Sequence, residues 1–141
     1  MRFKGRKPIF SYKDTWSLDS VLNPIIAAGL KRFKEVVETR DGECGYPSPL
    51  EIEGQNDGFV RWLAILDKMI YAFDAKEPEL GDNVLRMDST PGEPGDTYTR
   101  AEIVVVKPTE YDEYTAAFEL HWKRVKEGHT LFAEYYNSLW W

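Results

Sequence analysis

Apolar residues recur three and four positions apart in three separate stretches of the chain, and this spacing predicts three amphipathic helices. The first helix is expected over about 16–38, where the apolar face runs from Leu18 to Val37. Because a proline inside a helix removes one backbone hydrogen bond, Pro24 predicts either a kink, which we favour, or a helix that starts later. Three residues are suitable N-caps for this helix, namely Asp14, Thr15 and Ser17.

The stretch DGFVRWLAILDKMIYAFD restores the helical period and predicts the second helix, over about 58–74. Its apolar face runs from Phe59 to Phe73, and Asp57 stands at the N-cap position. Asp67 lies within this stretch, where most neighbouring positions are apolar. We therefore expect Asp67 to be a buried polar residue that accepts a hydrogen bond from another element.

The third helix is expected over about 110–139, because eight residues, most of them apolar, follow one another at alternating intervals of four and three. These seam residues are Tyr114, Phe118, His121, Val125, Gly128, Phe132, Tyr135 and Leu139. Glycine costs roughly 1 kcal/mol relative to alanine in a helix interior, so another backbone is expected to come close to Gly128. The alternative is a break at EGHT, with Thr130 capping a fourth helix. Thr109 and Asp112 would form a capping pair at the start of the long helix.

Two segments between the predicted helices lack helical periodicity. TRDGECGYPSPLEIEGQNDG is rich in Gly and Pro and predicts a loop. Further along, the β-favouring runs NVLRM and TYTRAEIVVV flank STPGEPGD, which predicts a β-hairpin over about 83–106 or, alternatively, an extended connection against the helices. The expected fold is therefore mostly α: a three-helix, bundle-like domain with a small hairpin insertion, and with Leu139, Trp140 and Trp141 packed against it.

The distribution of charge along the chain identifies a basic arm, residues 1–13. The chain has 141 residues and a net charge of −6, and we expect one domain spanning 1–141. Residues 1–13 carry five Lys and Arg and no acid, so Arg2, Arg6 and Lys7 are candidates for binding phosphate or an acidic partner. The remainder is acidic enough that we expect no large nucleic-acid interface. No apolar run approaches about 20 residues, and we expect no membrane interaction.

The titratable residues do not form a recognisable catalytic or metal-binding motif. His121 and His129 are eight positions apart, or about 12 Å along one helix, which is too far to share a metal ion. The single cysteine, Cys44, has no partner for a disulfide and is consistent with a cytoplasmic location. The sequence contains no P-loop, G-x-G-x-x-G or G-x-S-x-G motif. We expect no enzymatic activity, cofactor or metal, and we expect His121 to be a buried, hydrogen-bonded side chain.

Several aromatic residues lie near predicted helix ends and loops instead of on an apolar helical face. They are Trp16, Tyr46, Tyr98 and Tyr111. Because aromatic side chains are enriched at interaction surfaces, these four are candidate binding residues alongside the three basic residues of the arm.

The segments YKDTWSLDSVLNPIIAAGLKRFKE, GYP, WLAILDKMIYAF and EGHTLFAEYYNSLWW together resemble small uncharacterised proteins encoded by tailed bacteriophages. The resemblance covers the three helical segments and transfers no catalytic or binding residue. It implies an accessory protein acting in the cytoplasm of the infected bacterium.

Four functional hypotheses follow from the residues and this resemblance. The first is a non-catalytic protein that binds and modulates or inhibits a bacterial host factor, with a component of host defence as one candidate. The alternative is a protein that sequesters a nucleotide-like ligand between aromatic rings with help from the basic arm. A structural role in the virion has less support, because the chain shows no repeat or fibre pattern, and an enzyme built on converging carboxylates has the least. A Gly-bearing apolar seam also makes a homo-oligomer conceivable.

Overall fold

Four α-helices make up more than half of the residues that this computed structural model describes, which are 1–40, 45–95 and 99–139. The helices are α1 (Tyr12–Trp16), α2 (Leu18–Thr39), α3 (Gly58–Asp74) and α4 (Pro108–Tyr135). Two antiparallel hairpins accompany them: β1 (Arg2–Lys4) with β2 (Lys7–Ile9), and β3 (Leu85–Thr90) with β4 (Arg100–Val105). Short 3₁₀ turns cover Ser48–Leu50 and Tyr136–Ser138. The prediction of a mostly helical chain with a small β-hairpin before the last helix is confirmed.

The described chain divides into two compact units. The first unit contains Met1–Ala75 together with the described residues from Lys123 onward, and the second contains Lys76–Trp122. α4 contributes its N-terminal part to the second unit and its C-terminal part to the first. The basic arm, α2, α3 and the described residues after α4 therefore belong to the first unit, and the β3–β4 hairpin belongs to the second.

The core of the first unit is built around Trp62 of α3, whose side chain is almost completely buried. The Phe33 ring of α2 meets it edge-on at a centroid distance of 6.4 Å, and the Tyr135 ring of α4 lies 5.6 Å away. Aromatic rings at such distances and angles attract each other in addition to burying apolar area. The buried cluster around Trp62 consists of Leu30, Val37, Leu50, Leu66, Met69 and Tyr135.

The predicted first helix, 16–38, corresponds to α2, which begins at Leu18, whereas Trp16 is the last residue of the separate short helix α1. Ser17 is the N-cap residue of α2, although its side chain makes no capping hydrogen bond. α2 then runs without interruption through Pro24, so the alternative in which this proline marks the start of the helix is wrong. Because proline has no N–H, the turn at Pro24 loses one backbone hydrogen bond, and the flanking turns keep the helix continuous.

α3 begins and ends as predicted, but Asp57 does not cap it through its side chain. The Asp57 carboxylate instead pairs with the guanidinium of Arg61, one turn into the helix. Arg61 also donates hydrogen bonds to the backbone oxygen of Leu50 (3.1 Å) and to the side-chain oxygen of Gln55 (2.6 Å). This arginine therefore fastens the preceding loop to the first turns of α3.

α4 is one continuous helix through Gly128, so the alternative of a break at EGHT is wrong. The predicted capping pair is wrong as well, because the helix begins at Pro108 and places Thr109 within its first turn. Proline is favoured at this first position, since its missing N–H has no partner there in any case. None of the eight seam residues is fully exposed, and His121, Val125, Gly128 and Tyr135 are buried.

Candidate functional site

The two most exposed aromatic side chains of the first unit lie in its first sixteen residues, together with several exposed basic side chains. β1 and β2 form a tight hairpin around Gly5 and Arg6, in which Gly5 has a φ of +64°, a backbone conformation that glycine adopts without steric cost. α1 follows directly after this hairpin. We call the following five residues the arm surface: Arg2, Arg6, Lys7, Tyr12 and Trp16.

A hydrogen-bonded cap fixes the start of α1. The Ser11 backbone N–H donates to the Asp14 carboxylate at 2.7 Å, and the Asp14 N–H donates back to the Ser11 hydroxyl at 3.4 Å. The amino group of Met1 donates to the other carboxylate oxygen of Asp14 at 2.8 Å. The cap therefore ties the beginning of β1 to α1 and holds the arm hairpin next to this short helix.

The same contacts lower the pKa of Asp14. The hydrogen bond from the Met1 ammonium, followed by the bonds from Ser11, brings this pKa to about 2. Hydrogen bonds to a carboxylate favour its ionised form, so Asp14 remains charged at any pH near neutrality. Its charge is compensated locally by Met1, so the Lys and Arg of the arm still determine the sign of the surface.

Tyr12 and Trp16 are four residues apart on α1 and therefore lie on the same side of the helix. Each side chain is 80% exposed. Large aromatic side chains in soluble proteins usually bury most of their surface, and exposed pairs are typical of contact sites. Trp16 was predicted as a binding residue, whereas Tyr12 was not. The signal for Tyr12 was its spacing of four from Trp16.

The other aromatic candidates do not join this surface. The Tyr46 ring packs over the start of α3, where a Cβ added to Gly58 would lie 2.3 Å from a ring carbon. Tyr46 is half-buried against the core, which is a packing role. Tyr111 is half-buried in α4 within the second unit. Tyr98 lies outside the described residues, as do Cys44, Trp140 and Trp141.

Asp67 is not the buried carboxylate that the sequence suggested. Its side chain is 60% exposed and accepts a hydrogen bond of 2.7 Å from the Lys34 ammonium of α2. This bond raises the pKa of Lys34. The physical reason for the error is the angle of about 100° between successive helical residues: Leu66 points into the core, and Asp67 turns toward solvent.

His121 is buried, with its ring 5.7 Å from the Trp122 ring at an interplanar angle of 81°. In the described part of the chain, no buried side-chain nitrogen or oxygen lacks a hydrogen-bond partner. His129 lies two turns further along α4, with its ring 4.9 Å from that of Phe73. His121 is therefore a satisfied polar group on the seam of α4.

Three carboxylates at or beside the helices, those of Asp14, Asp67 and Asp74, are engaged in separate ion pairs. Asp74 accepts from Lys31 at 2.7 Å, Asp67 accepts from Lys34, and Asp14 accepts from Met1. Across residues 1–40, 45–95 and 99–139, no group of three or more His, Cys, Asp and Glu is placed to hold one metal ion. These pairs join helices and close caps, and they do not converge on a common point.

A second exposed surface, which the sequence analysis did not single out, lies on the β3–β4 hairpin. The register pairs Leu85 with Val105 and Met87 with Ile103, so these four side chains share one face of the two-stranded sheet. We call them the hairpin stripe. Met87 is 67% exposed and Ile103 is 65% exposed. The alternation of apolar residues with Arg86 and Asp88 along β3 was the available signal.

Comparisons with known proteins do not identify a similar protein. A scan against protein-family models, a search of curated proteins and a search of solved structures each find no match to the chain. Within the described ranges, no helix has the length and apolar character needed to cross a bilayer.

Proposed function

We propose that this chain is a non-catalytic binding protein that engages a partner protein through the arm surface. The observation that carries the proposal is the exposure of Tyr12 and Trp16 side by side on a basic segment. Tyrosine, tryptophan and arginine are the residues that most often dominate binding energy at protein interfaces. The arm surface presents all three types within sixteen residues.

The charges of the two contact partners should be complementary. The arm is basic and the remainder of the chain is acidic, so an acidic patch on the partner would be attracted to the arm and repelled elsewhere. This charge asymmetry orients the two proteins as they associate. It also disfavours an extended nucleic-acid partner, which would meet the acidic remainder of the chain.

The resemblance to small phage proteins supplies the proposed setting. We infer an accessory protein of a tailed bacteriophage that acts in the cytoplasm of the infected host and modulates or inhibits a host factor, with a defence component as one candidate target. We also infer that α2, α3 and the C-terminal part of α4 form a three-helix bundle that supports the arm. The contacts of Phe33 and Tyr135 with Trp62 support that arrangement.

Affinity capture from a bacterial lysate tests the proposal when it is combined with charge reversal. We expect wild-type protein to enrich a specific partner, and Lys4→Glu/Lys7→Glu to lose it, because both lysines lie exposed on the arm hairpin. Lys123→Glu/Lys126→Glu is the matched control, since it makes the same charge change at exposed positions of α4. Equal recovery with both variants, or no enrichment by wild type, would refute the role of the arm.

A nucleotide-like ligand is the second candidate, favoured by the same pairing of aromatic rings with basic side chains. A ligand that binds only the folded state must raise the melting temperature as its concentration exceeds the dissociation constant. A thermal-shift panel of nucleotides therefore separates the two candidates. A ligand-dependent rise that is lost in Trp16→Ala supports the nucleotide, and a flat panel removes it.

A further inference from the structure

A cleft of about 240 Å³ lies between α3 and the C-terminal part of α4 in the first unit. Five of the described residues line it, which are Asp67, Lys68, Tyr71, Arg124 and Glu127. A volume of this size accommodates a small organic molecule and is below the range of drug-sized sites, about 300–1,000 Å³. None of these residues belongs to the arm surface.

Three of the four charged residues that line the cleft form ion pairs with other residues. The Lys68 ammonium donates to the Glu127 carboxylate at 2.6 Å across the two helices. The Asp67 carboxylate is held by Lys34 of α2. Arg124 differs from them, because it makes no ion pair with any residue in the described part of the chain. Among the residues that the structure describes, the Arg124 guanidinium is therefore the one charged group of the cleft without an ion-pair partner.

The Arg124 guanidinium lies over an aromatic ring. Its central carbon lies 5.7 Å from the centroid of the Tyr71 ring, within the range of a cation–π contact. The guanidinium carries five N–H donors along its planar edge, and a cation–π contact leaves donors available for hydrogen bonds. A planar group with two acceptor oxygens, such as a carboxylate, matches this edge with two parallel hydrogen bonds.

We propose that the cleft binds a small organic molecule through a single carboxylate, which the guanidinium of Arg124 holds while its non-polar part contacts Tyr71. Asp67 and Glu127 line the same cleft and repel a second negative charge. A carboxylate with one charge therefore fits better than a phosphate group, which carries nearly two near neutral pH. The inference does not depend on the proposed function, since it uses other residues and a different class of ligand.

Acetate is the minimal probe, and the ring protons of Tyr71 are the reporter in a titration followed by NMR at constant ionic strength, with chloride as the balancing anion. We expect a saturable shift with half-saturation on the order of 10 mM, since so small a ligand has few atoms to contribute. The shift should be abolished in Arg124→Gln. It should be at least threefold weaker in Arg124→Lys, which keeps the charge but not the two-pronged donor.

Lys126→Gln is the matched control, because it removes one exposed positive charge from the same helix. It should titrate like wild type. Unchanged melting temperatures in the Arg124 variants will show that they remain folded. A shift that rises linearly without saturation, or that is equal in Arg124→Gln, overturns the site. Tighter binding of inorganic phosphate than of acetate overturns the assignment to a carboxylate.

Discussion

Gly128 of α4 lies against the backbone of Lys68 in α3, so closely that a Cβ added to this glycine would stand 2.2 Å from the Lys68 carbonyl oxygen. The Cβ of Ala72 would be only 2.6 Å away. Only a residue without a side chain permits this approach. The glycine that weakens α4 locally is thus what allows α3 and α4 to meet.

We therefore predict that Gly128→Ala destabilises the protein, although alanine is the better helix former. The gain in helix propensity is at most about 1 kcal/mol, whereas overpacking against a backbone costs about 1–3 kcal/mol or more. Urea denaturation measures the difference. Gly29→Ala in α2 is the control, because nothing lies within 4 Å of its added Cβ. The control should be neutral or stabilising, and equal effects at both sites would show that the contact is absent.

The close approach of α3 at Gly128 was predictable, because the regular spacing of the seam residues determines which side of α4 is buried. Intervals of four and three placed His121 and Gly128 on the same side of one helix, and both are buried. Such a pattern does not determine whether a side chain at the edge of the apolar face points toward the core or toward solvent. Asp67 shows this, because a rotation of one residue separates it from fully buried Leu66.

The arm was harder to predict for a different reason. Its two strands are three residues each, which is too short for an alternating pattern to stand out. The cap of α1 depends on Ser11 and Asp14 acting together with the chain start, a contact that spacing alone does not reveal. Spacing places Tyr12 on the same side of α1 as Trp16, but it does not tell which aromatic residues the core leaves exposed.

The depressed pKa of Asp14 predicts how the arm responds to acid. A carboxyl whose pKa is lowered by folding adds stability that is fully present above its ordinary pKa of 3.8 and is lost as the pH falls through about 2. NMR titration of the Asp14 carboxyl should therefore show a midpoint near 2. Asp14→Asn should accelerate hydrogen exchange of the Ser11 amide at neutral pH. A midpoint near 3.8 would contradict the cap.

The buried Tyr135 predicts the response to alkali. Burial, and then the charge and hydrogen bond of Glu134, raise the pKa of its hydroxyl above the ordinary value of 10.0. The resulting stabilisation is complete below pH 10.0 and is lost as the pH rises through the folded-state pKa. Denaturant melts between pH 9 and 11.5 should show a smaller alkaline loss for Tyr135→Phe than for wild type. Identical pH profiles would mean that this hydroxyl ionises normally.

The hairpin stripe predicts a substitution that leaves stability almost unchanged. Met87 and Ile103 are mostly exposed and directly opposite, so Met87→Lys/Ile103→Glu, which introduces opposite charges, should change the free energy of unfolding by no more than about 0.5 kcal/mol per site. The variant should also bind less of a hydrophobic dye than wild type, because apolar surface has been removed. A loss of several kcal/mol would instead show that the stripe is covered in solution.

The central claim, that Tyr12 and Trp16 form the contact with a partner protein, is tested most directly by removing their rings. Quantitative mass spectrometry of partners captured from lysate should show at least about 30-fold weaker retention by Tyr12→Ala/Trp16→Ala, the loss expected for a hot spot. Trp122→Ala/Tyr136→Ala deletes the same two residue types at other exposed positions and should retain the partner within about twofold. Equal retention by wild type and both variants would contradict the claim.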